Sequence, residues 1–151
     1  MKTMPDQKTK PEQALIGGVI VTHGHLASEF IAAAEMIVGP MPHVTPASID
    51  WHDDVDVARA ELERAIIRVS GRRGTLLLTD MFGGTPTDIA SMFLDNPNIE
   101  VVTGVNLPMI LKLADQTADD SLAELSRRVR EAGHEGIHVA GELLTPSAKS
   151  Q

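Results

Sequence analysis

The sequence predicts an α/β protein: an open, mostly parallel sheet with helices on both faces. Three observations predict it. Short apolar runs rich in Val, Ile and Leu alternate four times with longer stretches whose apolar residues recur at spacings of three and four. The first and third runs are apolar without strict alternation, the pattern of strands covered on both sides. Polar or glycine-rich clusters follow three of the four runs, and open α/β sheets bind their ligands at the C-terminal ends of strands.

Each element has its own signal. Residues 15–21 (LIGGVIV) read as the first strand, and the chain breaks at Thr22-His23-Gly24-His25. Leu26, Phe30, Ala33, Ala34 and Ile37 then mark one face of a helix, which Gly39-Pro40 ends. Residues 44–49 read as a second strand. Asp53 and Asp54 open a helix with the stripe Val55, Ala58, Leu62, Ala65, Ile66 and Val69, and Gly71 lies just beyond it. Residues 75–79 (TLLLT) form the third strand, with Asp80 at its C-terminal end. Met81-Phe82-Gly83-Gly84 leads to a helix with Thr85 as N-cap and Pro86 as its first residue. Residues 99–103 (IEVVT) are the fourth strand, followed by Gly104-Val105-Asn106-Leu107-Pro108 and another helix start. Ser121-Leu122-Ala123-Glu124 is a capping box opening a late helix with Leu122, Leu125 and Val129 on one face. Residues 137–140 read as a short last strand, antiparallel if it joins the sheet. The arrangement is flavodoxin-like. Residues 1–13 read as a flexible lead, 14–140 as one domain and 141–151 as a tail.

Composition narrows the function. The chain has 151 residues, 42% hydrophobic and 23% charged, the balance of an ordinary globular domain. It has no cysteine, which excludes disulfides, thiolate metal sites and thiol nucleophiles. Thirteen basic against 21 acidic side chains give a net charge of −8, a poor match to a nucleic-acid backbone or an acidic membrane surface. No apolar run approaches the roughly 20 residues that span a bilayer.

The strand-end clusters supply candidate chemistry. His23 follows the first strand, and Gly24 beside it leaves the ring uncrowded. A neutral imidazole offers one nitrogen as nucleophile while the other donates a hydrogen bond. An acidic partner fixes that tautomer and stabilises the cation formed on attack. Asp80 ends another strand of the same sheet and comes within reach if the two strands are neighbours. Gly83 and Gly84 let backbone approach a ligand closely, and Thr85 adds a hydroxyl. Together they make an anion cradle without Lys or Arg. His25 reads as an exposed residue near the site. A His23-Gly24-His25 metal centre is disfavoured because His43, His52, His134 and His138 fall at no strand C-terminus. Met41, Met81, Met92 and Met109 read as core or pocket lining, and Trp51 as packing near the same edge.

These residues carry a resemblance. Val21-Thr22-His23-Gly24, residues 79–86 (TDMFGGTP) and residues 103–109 (TGVNLPM) stand in the order and spacing of the mannose-family IIA component of the bacterial phosphoenolpyruvate-dependent sugar phosphotransferase system. The chain resembles that family from about Ile16 to Ala140. The resemblance implies that His23 is phosphorylated through Nε2 and that Asp80 binds the other ring nitrogen. It implies phosphate contacts from Gly24, Gly83, Gly84 and Thr85, with Thr22, His25, Met81, Phe82 and Asn106 on the rim. It implies a phosphotransferase that accepts phosphate from the phosphocarrier HPr and passes it to a separate IIB protein for sugar uptake, with no metal or cofactor. A regulatory IIA-like protein, read by other proteins through its phosphorylation state, is the alternative within the family. A cytoplasmic homodimer, assembled by exchange of the 137–140 strand, is also implied.

Two other readings share the architecture. A receiver domain phosphorylated on Asp80 needs an acidic pair after the first strand, where this chain has Thr-His-Gly-His. A flavin or nucleotide module suits the cradle, but four aromatic residues (Phe30, Trp51, Phe82, Phe93) leave little to stack on a flavin.

Overall fold

The computed structural model describes residues 15–50, 53–71 and 73–144. The chain alternates as expected: β1 (Gly17–His23), α1 (Leu26–Val38), β2 (Val44–Ile49), α2 (Val55–Val69), β3 (Thr75–Thr79), α3 (Thr85–Ser91) and β4 (Ile99–Thr103). Three helices close it: α4 (Leu107–Ala114), α5 (Leu122–Glu135) and α6 (Ala140–Leu144).

The four strands form one parallel sheet in the order β2-β1-β3-β4. β2 is an edge strand, which accommodates Pro46: a proline has no N–H for a central ladder. Side chains alternate between two cores. Ile16, Ile20, Leu76 and Leu78 point to the face covered by α1, α4 and α5, where they meet Ile31, Ile110, Leu113, Leu125 and Val129. Val19, Val21 and Leu77 point to the other face, against Ala58, Leu62, Ala65 and Ile66 of α2 and Ile89 of α3. Helices therefore cover both faces, and the continuously apolar runs follow from that. Right-handed crossovers account for the distribution. The chain moves one way from β1 to β2 and the other way through β3 and β4, so α1 lies opposite α2 and α3.

That reversal places the site. The chain leaves β1 toward β2 on one side, and β3 lies on the other, so a crevice opens beyond the C-terminal ends of β1 and β3. His23 is the last residue of β1, and Asp80 follows the last residue of β3.

Two helix starts are capped where the sequence predicts. The Asp54 side chain accepts from Val57 N at 2.8 Å. Ser121 and Glu124 form a reciprocal capping box. Asn106 caps α4 by accepting from Met109 N.

Several expectations need correction. β1 starts and ends two residues later than read, so Thr22 and His23 belong to the strand. The N-cap before α3 is Gly84, with Thr85 and Pro86 inside the helix. Residues 137–139 form no strand, and Ala140–Leu144 is helical where the chain was read as strand and tail. A strand needs a ladder partner, and none reaches this segment among the described residues; Ile137 is 73% and Val139 64% exposed. Met41 and Met109 are buried, whereas Met81 and Met92 are exposed. The 1–13 lead, Trp51, His52 and residues 145–151 lie outside the described residues.

Candidate functional site

His23 and Asp80 meet across the β1–β3 crevice. Asp80 Oδ2 lies 2.8 Å from His23 Nδ1 and also accepts from the backbone N–H of His23 at 3.0 Å. One carboxylate oxygen thus holds both the ring and the backbone beneath it. Acceptance by a carboxylate places the proton of neutral His23 on Nδ1 and leaves the Nε2 lone pair free. The histidine side chain is 48% exposed and the aspartate 13%. Asp80 Oδ1 is buried and has no hydrogen-bond partner among the described residues. Buried polar atoms of that kind are costly, and they are found where function outweighs stability.

The glycine loop faces the other side of the ring. Gly83 and Gly84 have φ of +84° and +89°, a region that side chains disfavour. A β-carbon at Gly84 would lie 3.5 Å from both Cε1 and Nε2 of His23. Only a residue without one leaves that approach clear for an incoming group. Thr85 follows with an exposed side chain, and Met81 and Phe82 project from the same loop, Phe82 being 84% exposed. Gly24, at φ +55°, has open space around it.

Toward β2 the ring borders a cleft of about 480 Å³, lined by His23, Gly24, His25, Ser48, Ile49 and Asp50. The strand register explains the lining, since Thr22 pairs with Ser48 and His23 with Ile49. The sequence reading missed Ser48 and Asp50. The signal was their place at the end of the second strand, usable only once β2 is known to adjoin β1. A larger groove of about 640 Å³ runs along the open edge of β4, between Phe82, Thr103 and Arg127, Arg130 and His134 of α5.

Two rim residues have other work. Thr22 is fully buried, and its Oγ1 accepts from Ala27 N at 2.8 Å, so it caps α1. Asn106 caps α4 through its oxygen, while its Nδ2 donates to Gly133 O at 3.0 Å and ties α4 to α5. The loop before it is fixed by Val105 N donating to Thr79 O at 2.9 Å. The structure thus brings together His23, Asp80 and Gly84, with Gly24 and His25 beside them. It turns the side chains of Thr22 and Asn106 to helix caps. Among the described residues no three His, Asp or Glu side chains converge as a metal ion would require.

Such an arrangement can do one kind of chemistry well. A fixed imidazole with a free, exposed Nε2 is a nucleophile, and a glycine loop at that nitrogen admits a bulky tetrahedral group.

The chain is similar to known proteins in sequence and fold. The family model EIIA-man, described as the PTS system fructose IIA component, matches residues 17–130. The mannose-specific EIIAB component of Escherichia coli (strain K12) is 34% identical over 126 residues, which is 79% of this chain and 38% of that protein. This chain therefore spans well under half the length of that relative. The sorbose-specific EIIA component of Lacticaseibacillus casei is 30% identical over 132 residues, 87% of this chain and 95% of that protein. Among solved structures, the mannose/sorbose-specific IIA subunit from Enterococcus faecalis superposes with a TM-score of 0.74 at 26% identity, covering 83% of this chain and 94% of that one. EIIA from Streptococcus agalactiae gives 0.76 at 26% identity, covering 85% and 99%.

Proposed function

The chain belongs to the EIIA-man family of phosphotransferase-system IIA components, and we propose that it relays a phosphoryl group on His23 from phospho-HPr to a IIB acceptor in sugar uptake. The observation that supports this most directly is the division of the His23 ring. Nδ1 is held by Asp80, and Nε2 is open beside Gly84.

The steps balance simply. His23 Nε2 attacks phosphorus on the donor and forms a new P–N bond. The donor's P–N bond breaks, and its electron pair returns to the donor imidazole. The Nδ1 proton stays in the hydrogen bond to Asp80, whose negative charge stabilises the ring as it gains cationic character. Phosphohistidine then passes the group to the IIB nucleophile by the same exchange in reverse. Little covalent chemistry is left for other groups, so rate depends on positioning and on donors that meet the phosphoryl oxygens. Gly24, Gly83, Gly84 and Thr85 stand where backbone N–H groups and one hydroxyl serve that purpose. His25, Met81 and Phe82 form the rim on which a carrier docks.

The protein acts in the cytoplasm as a homodimer. Among the described residues no helix is long and apolar enough to cross a membrane. The edge of β4, unpaired among the described residues, and the exposed apolar residues Ile137, Val139, Leu143 and Leu144 favour pairing with a second copy.

The test is incubation with phosphoenolpyruvate, enzyme I and HPr. The protein gains one phosphoryl group, stable to alkali and lost in acid, and His23→Ala gains none. Full labelling of His23→Ala, or a label lost in alkali as an acyl phosphate is, overturns the relay on His23.

A further inference from the structure

We infer that the buried hydroxyl pair Thr79 and Thr87 is a positioning device that holds the 81–84 loop against His23. The inference rests on the relay proposed above and adds two residues to it. Thr79 ends β3, and Thr87 is the third residue of α3; both are buried. Thr79 Oγ1 lies 2.8 Å from Thr87 Oγ1, and Thr87 Oγ1 lies 2.5 Å from the carbonyl oxygen of Met81.

Proton counting gives the chain a direction. The Met81 carbonyl can only accept, so Thr87 spends its single proton there. Thr79 must then donate to Thr87. The result is a relay of two bonds, Thr79 O–H to Thr87 O–H to Met81 O=C, in which each bond polarises the next.

The geometry says what this relay holds. Thr79 is fixed by the sheet: it pairs with Val21 and Thr103, and its carbonyl accepts from Val105 N. Thr87 is fixed by α3. Between them run Asp80, which holds His23, and Gly83-Gly84 at positive φ. The Thr87–Met81 bond spans the loop that carries Gly83 and Gly84 from exit to entrance, and the Thr79–Thr87 bond brackets Asp80 as well, so together they close the segment carrying both groups that face the His23 ring. Packing alone does not call for hydroxyls here. Leu77, two residues before Thr79, and Ile89 and Ala90, just after Thr87, belong to the apolar core; a buried hydroxyl is costly unless bonded, and a valine would fill the same space.

The role is tested by phosphoryl transfer from phospho-HPr together with thermal unfolding. Thr87→Val removes the hold on Met81 and slows transfer at saturating donor by about tenfold, because small displacements of a reacting pair carry large rate costs. KM for phospho-HPr changes less than the rate, by at most severalfold, since Met81 and Phe82 on the docking rim keep their side chains while the loop that carries them is held less firmly. Thr87→Ser keeps the hydroxyl and returns the rate to within about twofold of wild type. Thr79→Val leaves the Thr87–Met81 bond in place and has the smaller defect. Thr79→Val/Thr87→Val also removes the Thr79 hydroxyl that Thr87→Val leaves without its partner, so the unfolding midpoint recovers part of the way toward wild type, with only the Met81 carbonyl still lacking its donor; transfer remains slow. That separation of rate from stability distinguishes positioning from structure. A Thr87→Val protein that transfers at the wild-type rate overturns the inference, as does a double variant whose rate recovers along with its stability. Wild-type protein that takes no label on His23 overturns the relay itself, which is a different result from either.

Discussion

Asp80 grips His23 twice with one oxygen: Oδ2 meets Nδ1 at 2.8 Å and the histidine backbone N–H at 3.0 Å. The two bonds fix the ring in position and in tautomer. Removing the carboxylate leaves the nucleophile present but unheld. Asp80→Ala should therefore slow phosphoryl transfer by about 10²-fold without abolishing it. Asp80→Asn, which keeps an acceptor but loses the charge, should fall between alanine and wild type. Rapid-quench labelling of His23 measures both, and an unchanged rate in Asp80→Ala would remove the aspartate from the mechanism.

The two glycines near the ring differ in a way that mutation can expose. A β-carbon at Gly84 is strained at φ +89° and lies 3.5 Å from Nε2, whereas one at Gly24 is strained at φ +55° but meets no other atom within 4 Å. Each alanine variant should lose about 1–3 kcal/mol of stability, the usual cost of forcing a side chain into a disfavoured backbone region. Only Gly84→Ala should lose most of its transfer activity. Denaturant melts paired with the labelling assay check this. Equal activity losses would mean that strain, not the space at Nε2, is what these glycines serve.

How far the sequence reveals this fold depends on what each signal measures. β2, β3 and β4 were legible to the residue, and for β3 the continuous apolar run TLLLT reports burial on both faces. β1 was misplaced by two residues because Thr22 and His23 look like a break. Thr22 tolerates full burial only because its hydroxyl finds Ala27 N five residues on, a tertiary detail. Ile137 and Val139 have strand propensity, but propensity without a partner strand makes no sheet. His23 and Asp80 were legible as strand-end residues. Their contact was not, since it depends on the order β2-β1-β3-β4, and the same holds for Ser48 and Asp50 beside the ring. The Thr79–Thr87 pair was invisible as well, because two threonines eight residues apart carry no signal until strand end and helix turn face each other.

His25 shares the cleft with His23 but makes no side-chain cap to α1, whose N-cap position it occupies. His25→Ala should keep full stoichiometric labelling on His23, with at most a severalfold change in KM for the phosphoryl donor. Loss of labelling in His25→Ala with retention in His23→Ala would move the nucleophile two residues along the chain.

The final prediction concerns acid stability, and it turns on Asp120, far from the ring. The backbone N–H of Thr117 donates to Asp120 Oδ2 at 2.8 Å and does most to hold its carboxyl below the ordinary value of 3.8. Burial opposes this, and Arg128, whose Nη1 donates to Oδ1 at 2.6 Å, adds to the lowering. The Asp120 carbonyl in turn accepts from Arg73, so the 115–120 turn is bound to α5 and to the segment before β3. A carboxyl lowered in the folded state contributes stability that is fully present above its unfolded value. That contribution declines as pH falls below about 4 and is gone once pH has passed the lower folded value. Asp120→Asn removes this linkage. The variant should be less stable than wild type at neutral pH by about 1–3 kcal/mol, since a charged hydrogen bond to Arg128 is lost. The gap should narrow as pH drops from about 5 toward 2, whereas a constant gap over that range would show that the carboxyl titrates alike in the folded and unfolded chain. Denaturant unfolding at a series of pH values, followed by far-ultraviolet circular dichroism, measures it directly.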